Sequence, residues 1–297
     1  MSEAPSPWRT LLPGQVSQIH LYTVSTGADQ VVYETAAAVA EAPNWTLDGS
    51  ALVFNEEGTI YRLDLASGQV SPIQSGDRND FNNDHVLDPD GVHIFGTAED
   101  GHIYRFPLAG GPAERVTRDD DGLMAHYLHG VSPDGNLLVH IGGAARADGA
   151  VYNIYSFNRA TGETRQVTDS PKPHDGSEFS PDGQWLYFNS ERASELPGHS
   201  QIFRAQPDGN GIEQLTFDER VNWFPHLAPD GARLVYISFP PGTLGHPANK
   251  AVYLVVADPL CRHEVARIGF FGGQGTINVN SWAPDSDRFA YVAYPVA

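Results

Sequence analysis

Six of the twelve histidines in this chain of 297 residues, His85, His126, His129, His174, His226 and His246, fall at or near the points where separate stretches of the chain are expected to meet. Neutral imidazoles converging with an amide or carboxylate form a site for Zn²⁺, Mn²⁺ or Fe²⁺, or an acid–base pair working near neutral pH. On residue type and placement, His126, His129, His174 and His226 are the candidate metal ligands, and His126, His174 and His246 the candidate acid–base groups. Asn222, Asn278 and Tyr127 are candidate substrate contacts, and Tyr127, Trp223 and Phe224 have ring faces that could stack on a sugar.

These residues are far apart in sequence, so a repeated architecture must gather them. A short phrase supplies it. An apolar residue, then Ser or Ala, Pro, Asp and Gly, recurs in variants ending at Asp48, Asp90, Asp134, Asp182, Asp230 and Asp285. Successive aspartates are 42, 44, 48, 48 and 55 residues apart, the differences between those numbers, which suits one four-stranded propeller blade and is too long for a leucine-rich or helical repeat. Proline presets φ, aspartate accepts backbone N–H bonds and glycine takes positive φ, so each phrase is a turn between strands. β-branched and aromatic runs after the turns, at 52–55, 92–95, 137–141, 185–189, 233–239 and 289–294, read as second strands. Ile-Tyr or Ile-Phe pairs such as Ile103-Tyr104 and Ile202-Phe203 mark third strands, and 115–117, 166–168 and 214–216 read as fourth strands.

The sixth repeat lacks its second half at the C-terminus. Residues 18–22 and 31–33 carry the missing third- and fourth-strand patterns, so N-terminal strands are expected to complete the last blade and leave no open sheet edge. The reading is an all-β, six-bladed β-propeller forming one domain over residues 1–297, with an N-terminal tail of about 1–16. Links between blades and second-to-third strand loops share one face of such a disc. Residues seven or eight before each turn aspartate, among them Asn82, Asn83, His126, His174, Asp175, Asn222 and Asn278, begin the inner strands on that face. Extended loops at 142–150, 192–200 and 240–250 project there as well. Function is expected to concentrate on this side.

The phrases and strand order resemble the TolB-like six-bladed propellers with WD40-like, Pro-Asp-Gly type repeats, from about residue 18 to residue 294. That resemblance implies a binding scaffold for a protein or other ligand. TolB itself has an additional N-terminal α/β domain and a periplasmic signal, and neither is seen in this sequence. The chain is also similar, at the level of its constellation, to the oligogalacturonate lyase propellers, which bind manganese through histidines and a glutamine over the channel. Those enzymes are longer and seven-bladed. The similarity adds Gln274 to the metal set and implies a lyase in which a divalent metal (Mn, Zn, Fe or Ca) holds a sugar carboxylate while a base removes the adjacent proton. Lys250 and His246 are candidates for the base. Arg146 and Arg192, on the same face, would bind an anionic or polyhydroxylated ligand. Two readings follow: a carbohydrate-active lyase or hydrolase, or a noncatalytic propeller that binds a ligand or protein.

Composition narrows the partners. With 37 acidic against 18 basic residues, the net charge of −19 repels nucleic acid. No apolar stretch approaches a membrane span, and no secretory signal is visible, so the chain as written is expected in the cytoplasm, or in the periplasm had a signal been removed. One cysteine, Cys261, rules out an internal disulfide framework. Asp119-Asp120-Asp121 could offer oxygens to Ca²⁺ but reads as a solvated turn, and residues 78–84 are polar enough for Ca²⁺ but lack the spacing of a known loop. No serine elbow, phosphate-cradling loop or paired-cysteine motif occurs.

Overall fold

The computed structural model describes residues 8–146 and 149–296, with Arg146 described by its backbone alone. Six antiparallel sheets form the blades of a propeller. From inner to outer strand, blade 1 comprises Ala40–Trp45, Ala51–Glu56, Thr59–Asp64 and Val70–Pro72, and blade 2 comprises Phe81–Leu87, His93–Ala98, Ile103–Pro107 and Glu114–Arg115. Blade 3 is built from Leu123–Val131, Leu137–Arg146, Gly149–Asn158 and Glu163–Gln166, and blade 4 from His174–Phe179, Leu186–Ser190, Gln201–Ala205 and Glu213–Gln214. Blade 5 contains Val221–Leu227, Leu234–Phe239, Lys250–Ala257 and Glu264–Gly272. Blade 6 joins both ends of the chain. Arg288–Ala293 pairs with Ser17–Thr23, which pairs with Ala28–Thr35, and a bridge from Trp282 to Phe289 marks the inner edge.

The repeated phrase makes the expected turn. Asp134 Oδ1 accepts the Ser132 hydroxyl at 2.6 Å and the Asn136 N–H at 3.0 Å, and Asp182 does the same for Ser180 and Gln184. The next residue takes φ between 69° and 74° at Gly49, Gly91, Gly135, Gly183 and Gly231, a region that glycine enters without a Cβ penalty. Ser286 occupies that place in blade 6 at φ 60°, and its hydroxyl accepts the Asp230 N–H at 3.0 Å.

Blades face one another across apolar junctions, so strand residues are buried on both sides. One cluster fills each junction: Val53 and Phe81 between blades 1 and 2, Phe95 and Leu138 between 2 and 3, Ile141 and Phe188 between 3 and 4. Tyr187 and Leu234 lie between blades 4 and 5, Trp223 and Tyr291 between 5 and 6, and Ile19 and Phe54 between 6 and 1. Each fully buried aromatic or aliphatic side chain contributes roughly 1.5–3 kcal/mol. The ring is therefore held by inter-blade burial and closed by the backbone ladder between Ser17–Thr23 and Arg288–Ala293.

Two expectations are corrected. Fourth strands begin earlier than 115, 166 and 214, because Val116, Val167 and Leu215 leave the ladder to pack inward, and the Thr117, Thr168 and Thr216 hydroxyls accept the Ile103, Ile154 and Ile202 N–H groups. The segment 142–150 is no loop where it is described. Its ladder continues from Gly142 opposite Asn153 to Arg146 opposite Gly149, with the rings of Tyr155 and Tyr152 lying over Gly142 and Gly143. Among the described residues there is no helix, and so none long and apolar enough to cross a membrane.

Candidate functional site

The inner strands of blades 1 to 5 each carry a register shift near their midpoints, between Glu41 and Asn44, Phe81 and His85, Leu128 and Gly130, Asp175 and Glu178, and Trp223 and His226. A bulge adds a residue and re-aims its neighbours. Ala42 and Phe224 adopt φ 53° and 52° there, which costs a residue with a Cβ about 1–2 kcal/mol. Buried hydrogen bonds offset the strain: Ala42 N–H donates to the Gly275 carbonyl at 2.7 Å, and Phe224 N–H to Asn189 Oδ1 at 3.0 Å. The result is a cavity of about 450 Å³ on the entry face. Its frame is a ring of Glu41, Asn83, Tyr127, Asp175, Trp223 and Asn278, each seven residues before its turn aspartate.

Within this frame His129 spans the opening. Its Nε2 donates to Asp175 Oδ1 at 2.8 Å and its Nδ1 to the Asn278 carbonyl at 3.1 Å. Burial opposes the imidazolium charge, but the bond and charge of Asp175, with Asp84 nearby, hold His129 up at about 9. Burial would raise Asp175, yet the His129 bond outweighs it and the carboxyl sits below its ordinary value. Asp84 is 6 % exposed and burial pushes it up to about 6, against the pull of His129. His174 is driven down to about 4 by burial and by the Arg192 charge, and its Nε2 has no partner. At the rim the Arg9 guanidinium donates to Glu41 Oε1 and to the Gln274 carbonyl, both at 2.9 Å, and lies 4.4 Å from the centre of the Tyr294 ring. A Cβ on Gly275 (φ 85°) would fall 2.6 Å from Glu41 Oε1 and 2.7 Å from Arg9, so this approach requires glycine.

Residues 129–245 match the TolB beta propeller domain family. An uncharacterized protein of Agrobacterium fabrum is 37% identical over 284 residues, covering 94% of this chain and 92% of the relative. A solved structure from Agrobacterium tumefaciens, provisionally named TolB, is 34% identical with a TM-score of 0.86, covering 95% of this chain and 99% of that one. The chain belongs to the TolB-type β-propeller family. An oligogalacturonate lyase solved with manganese shares the fold at 17% identity and a TM-score of 0.56, over 89% of this chain and 69% of the lyase.

This TolB-type propeller brings together some of the residues singled out from sequence and separates others. His129, His174, His246, Gln274, Asn278 and Tyr127 line the cavity. His126 does not, although it starts an inner strand. It is buried between blades 2 and 3, with Nδ1 on the Gly101 carbonyl at 2.7 Å and Nε2 on Asp121 at 2.8 Å, its ring stacked on His102 and tilted against His140. His226 lies deeper, tied to Glu178 at 2.5 Å and to the Ile277 carbonyl at 2.9 Å. Asn222 is fully buried against Asp218. Arg192 and Lys250 lie outside the cavity lining, and the Arg146 side chain falls outside the described residues. His246 Nδ1 meets Gln274 Oε1, and its ring packs 4.5 Å from Trp223. The expected metal set therefore does not converge. Among the described residues no group of three or more His, Cys, Asp or Glu side chains is arranged to hold a metal ion.

Sequence reasoning missed Glu41, Asp84, Trp8, Arg9 and Tyr152, all of which line the cavity. A signal for Glu41 existed. The framing position is seven before the turn aspartate, which in the first repeat is Glu41, next to Ala40 at the eighth place. Nothing in the repeat points to Trp8 or Arg9, which reach the mouth only because the N-terminal segment crosses it.

Proposed function

We propose that this chain is a recognition propeller that holds a small ligand in the entry-face cavity without converting it. The observation that carries this reading is the frame itself. Six blades each contribute one side chain at the same repeat position to a concavity of about 450 Å³, within the range of small-molecule sites. Aromatic walls from Trp8, Tyr127, Tyr152 and Trp223 would bury a ligand's carbon skeleton, and Asn82, Asn83 and Asn278 would orient its polar groups. Proton abstraction finds less support. Lys250 is outside the lining, His129 donates from both nitrogens and so has no lone pair to accept a proton, His246 Nδ1 is taken up by Gln274 Oε1, and His174, held down at about 4, is a weak base.

Calorimetric titration of a metabolite panel, with each bound compound afterwards recovered and weighed by mass spectrometry, tests this. Saturable binding with the ligand unchanged is expected, weakened about tenfold in Trp223→Ala, the loss of one aromatic wall. Appearance of an unsaturated uronide from oligogalacturonate in the presence of manganese would replace this reading by the lyase one.

A further inference from the structure

Charge in the cavity is settled unevenly. Among the described residues three carboxylates line it, Glu41, Asp84 and Asp175, and two cations stand against them, Arg9 and the His129 imidazolium. Arg9 takes Glu41 at 2.9 Å and His129 takes Asp175 at 2.8 Å, with His246 Nε2 a further 3.7 Å from Asp175. Of the three, Asp84 is the one without an ion pair among the described residues, though the charge of His129 also acts on it. Its carboxylate receives a single side-chain bond, from the Asn82 amide at 3.1 Å, where a carboxylate offers about four acceptor positions. A buried carboxylate with so few donors is costly unless something completes it.

The same cavity already shows what completes a carboxylate in this setting. Arg9 sits between Glu41, a carbonyl oxygen and the face of Tyr294, the arrangement by which acids and aromatic rings together hold an organic cation. Tyr127 and Tyr152 stand 6.4 Å apart by ring centres on the blade 3 side, and Trp223 stands on the blade 5 side. Of the cationic side chains expected from sequence to meet an anion, Lys250 and Arg192 are outside, and the lining cations Arg9 and His129 are already engaged by Glu41 and Asp175.

We propose that the cavity selects a small ligand bearing an organic cation, an ammonium or guanidinium group, with Asp84 as its counter-ion and Tyr127, Tyr152 and Trp223 as the walls around its carbon chain. This rests on the reading of the cavity as a ligand site and names the ligand class for it. The group comes from a free amine or from a basic side chain of a short peptide, and the two sources are separable. Arg9 is the built-in competitor at the rim, where its departure would release Glu41 as a second anionic contact.

The test is calorimetric titration of the full chain at neutral pH and low salt with agmatine, tetramethylammonium, the peptide Gly-Lys-Gly, galacturonate and glucose. Agmatine or the peptide is expected to bind more tightly than galacturonate and glucose, and whichever of the two is tighter identifies the source. Asp84→Asn, nearly the same shape, should weaken the cation about tenfold or more, and Tyr152→Ala, at the partly exposed wall, several-fold. Arg9→Ala should strengthen binding. Equal cation affinity in Asp84→Asn and the parent, both folded by circular dichroism, would overturn the inference. A preference for galacturonate would also overturn it while leaving the ligand site standing. Failure of every probe and of the wider metabolite panel would remove both.

Discussion

The two faces of the disc treat the same kind of side chain in opposite ways. On the turn face, aspartates recur at one place in every blade, lie near solvent and are satisfied by hydroxyls and N–H groups two or three residues away. Asp48 is accordingly held down to about 2 by the Thr46 hydroxyl and the Ser50 donors. On the entry face, the repeat position that frames the cavity holds six residues of five different kinds, and its carboxylates are satisfied by partners from other blades or from the N-terminal segment. Where the repeat is uniform it builds the turn. Where it diversifies it builds the site, because the ring geometry is the same in every blade and only the side chains can differ.

The sharpest way to break this contrast is to remove one carboxylate from each face. Asp175→Ala strands the buried His129 imidazolium and is expected to cost roughly 3–5 kcal/mol, read as a lower midpoint in urea. A loss no larger than that of a turn-face variant would show that the cross-blade pair is not coupled as described.

Acid should expose a second, slightly smaller difference. Burial holds His85, His140 and His174 down at about 4, 3 and 4. Their folded pKa values lie below the unfolded value, so the unfolded chain takes up protons first and stability falls as pH drops from about 6.5 toward 4. Asp84 and His129 act the other way over part of this range. Asp84, raised to about 6, gains stability as pH falls through that value, and His129, raised to about 9, is fully stabilising below about 6.5 and loses its contribution as pH rises through 9. The net expectation between pH 7 and 5 is a loss of about 3 kcal/mol, checked by urea unfolding at both values. His140→Phe, beside Tyr155, should flatten this acid limb, and an unchanged limb would exclude that histidine as a source.

Smaller effects belong to the turn face. Asp182→Ala removes the acceptor of the Ser180 hydroxyl and the Gln184 N–H in an exposed turn and should cost about 1 kcal/mol in the same measurement. Ser286→Gly relieves a positive φ but deletes the hydroxyl that accepts from Asp230, so the two terms nearly cancel, to within about 0.5 kcal/mol.

Most of the architecture was legible because its signals are local. Pro, Asp and Gly at Pro181-Asp182-Gly183 specify a turn within a few residues, and the aromatic third strands and the N-terminal half-blade follow from counting. The site was legible only in part. His129, His174, His246 and Gln274 were placed at the mouth and are there, but His126, one residue from the framing Tyr127, turns into the junction between blades. Alternation along a strand makes one residue decisive: the framing neighbour faces the cavity while His126 faces blade 2.

The amino-acid order by itself determined the six-fold repeat, the ring closure and the acid-rich character, since each depends on short-range turn chemistry, strand patterning or summed charge. Only the tertiary structure decided which ionisable groups share the cavity and which of them are already paired. Arg9 meets Glu41 and His129 meets Asp175 through contacts between separate parts of the ring, and Asp84, on which the His129 charge also acts, is left without an ion pair among the described residues. Charge compensation acts through space over a few ångströms, and no local pattern along a chain records it.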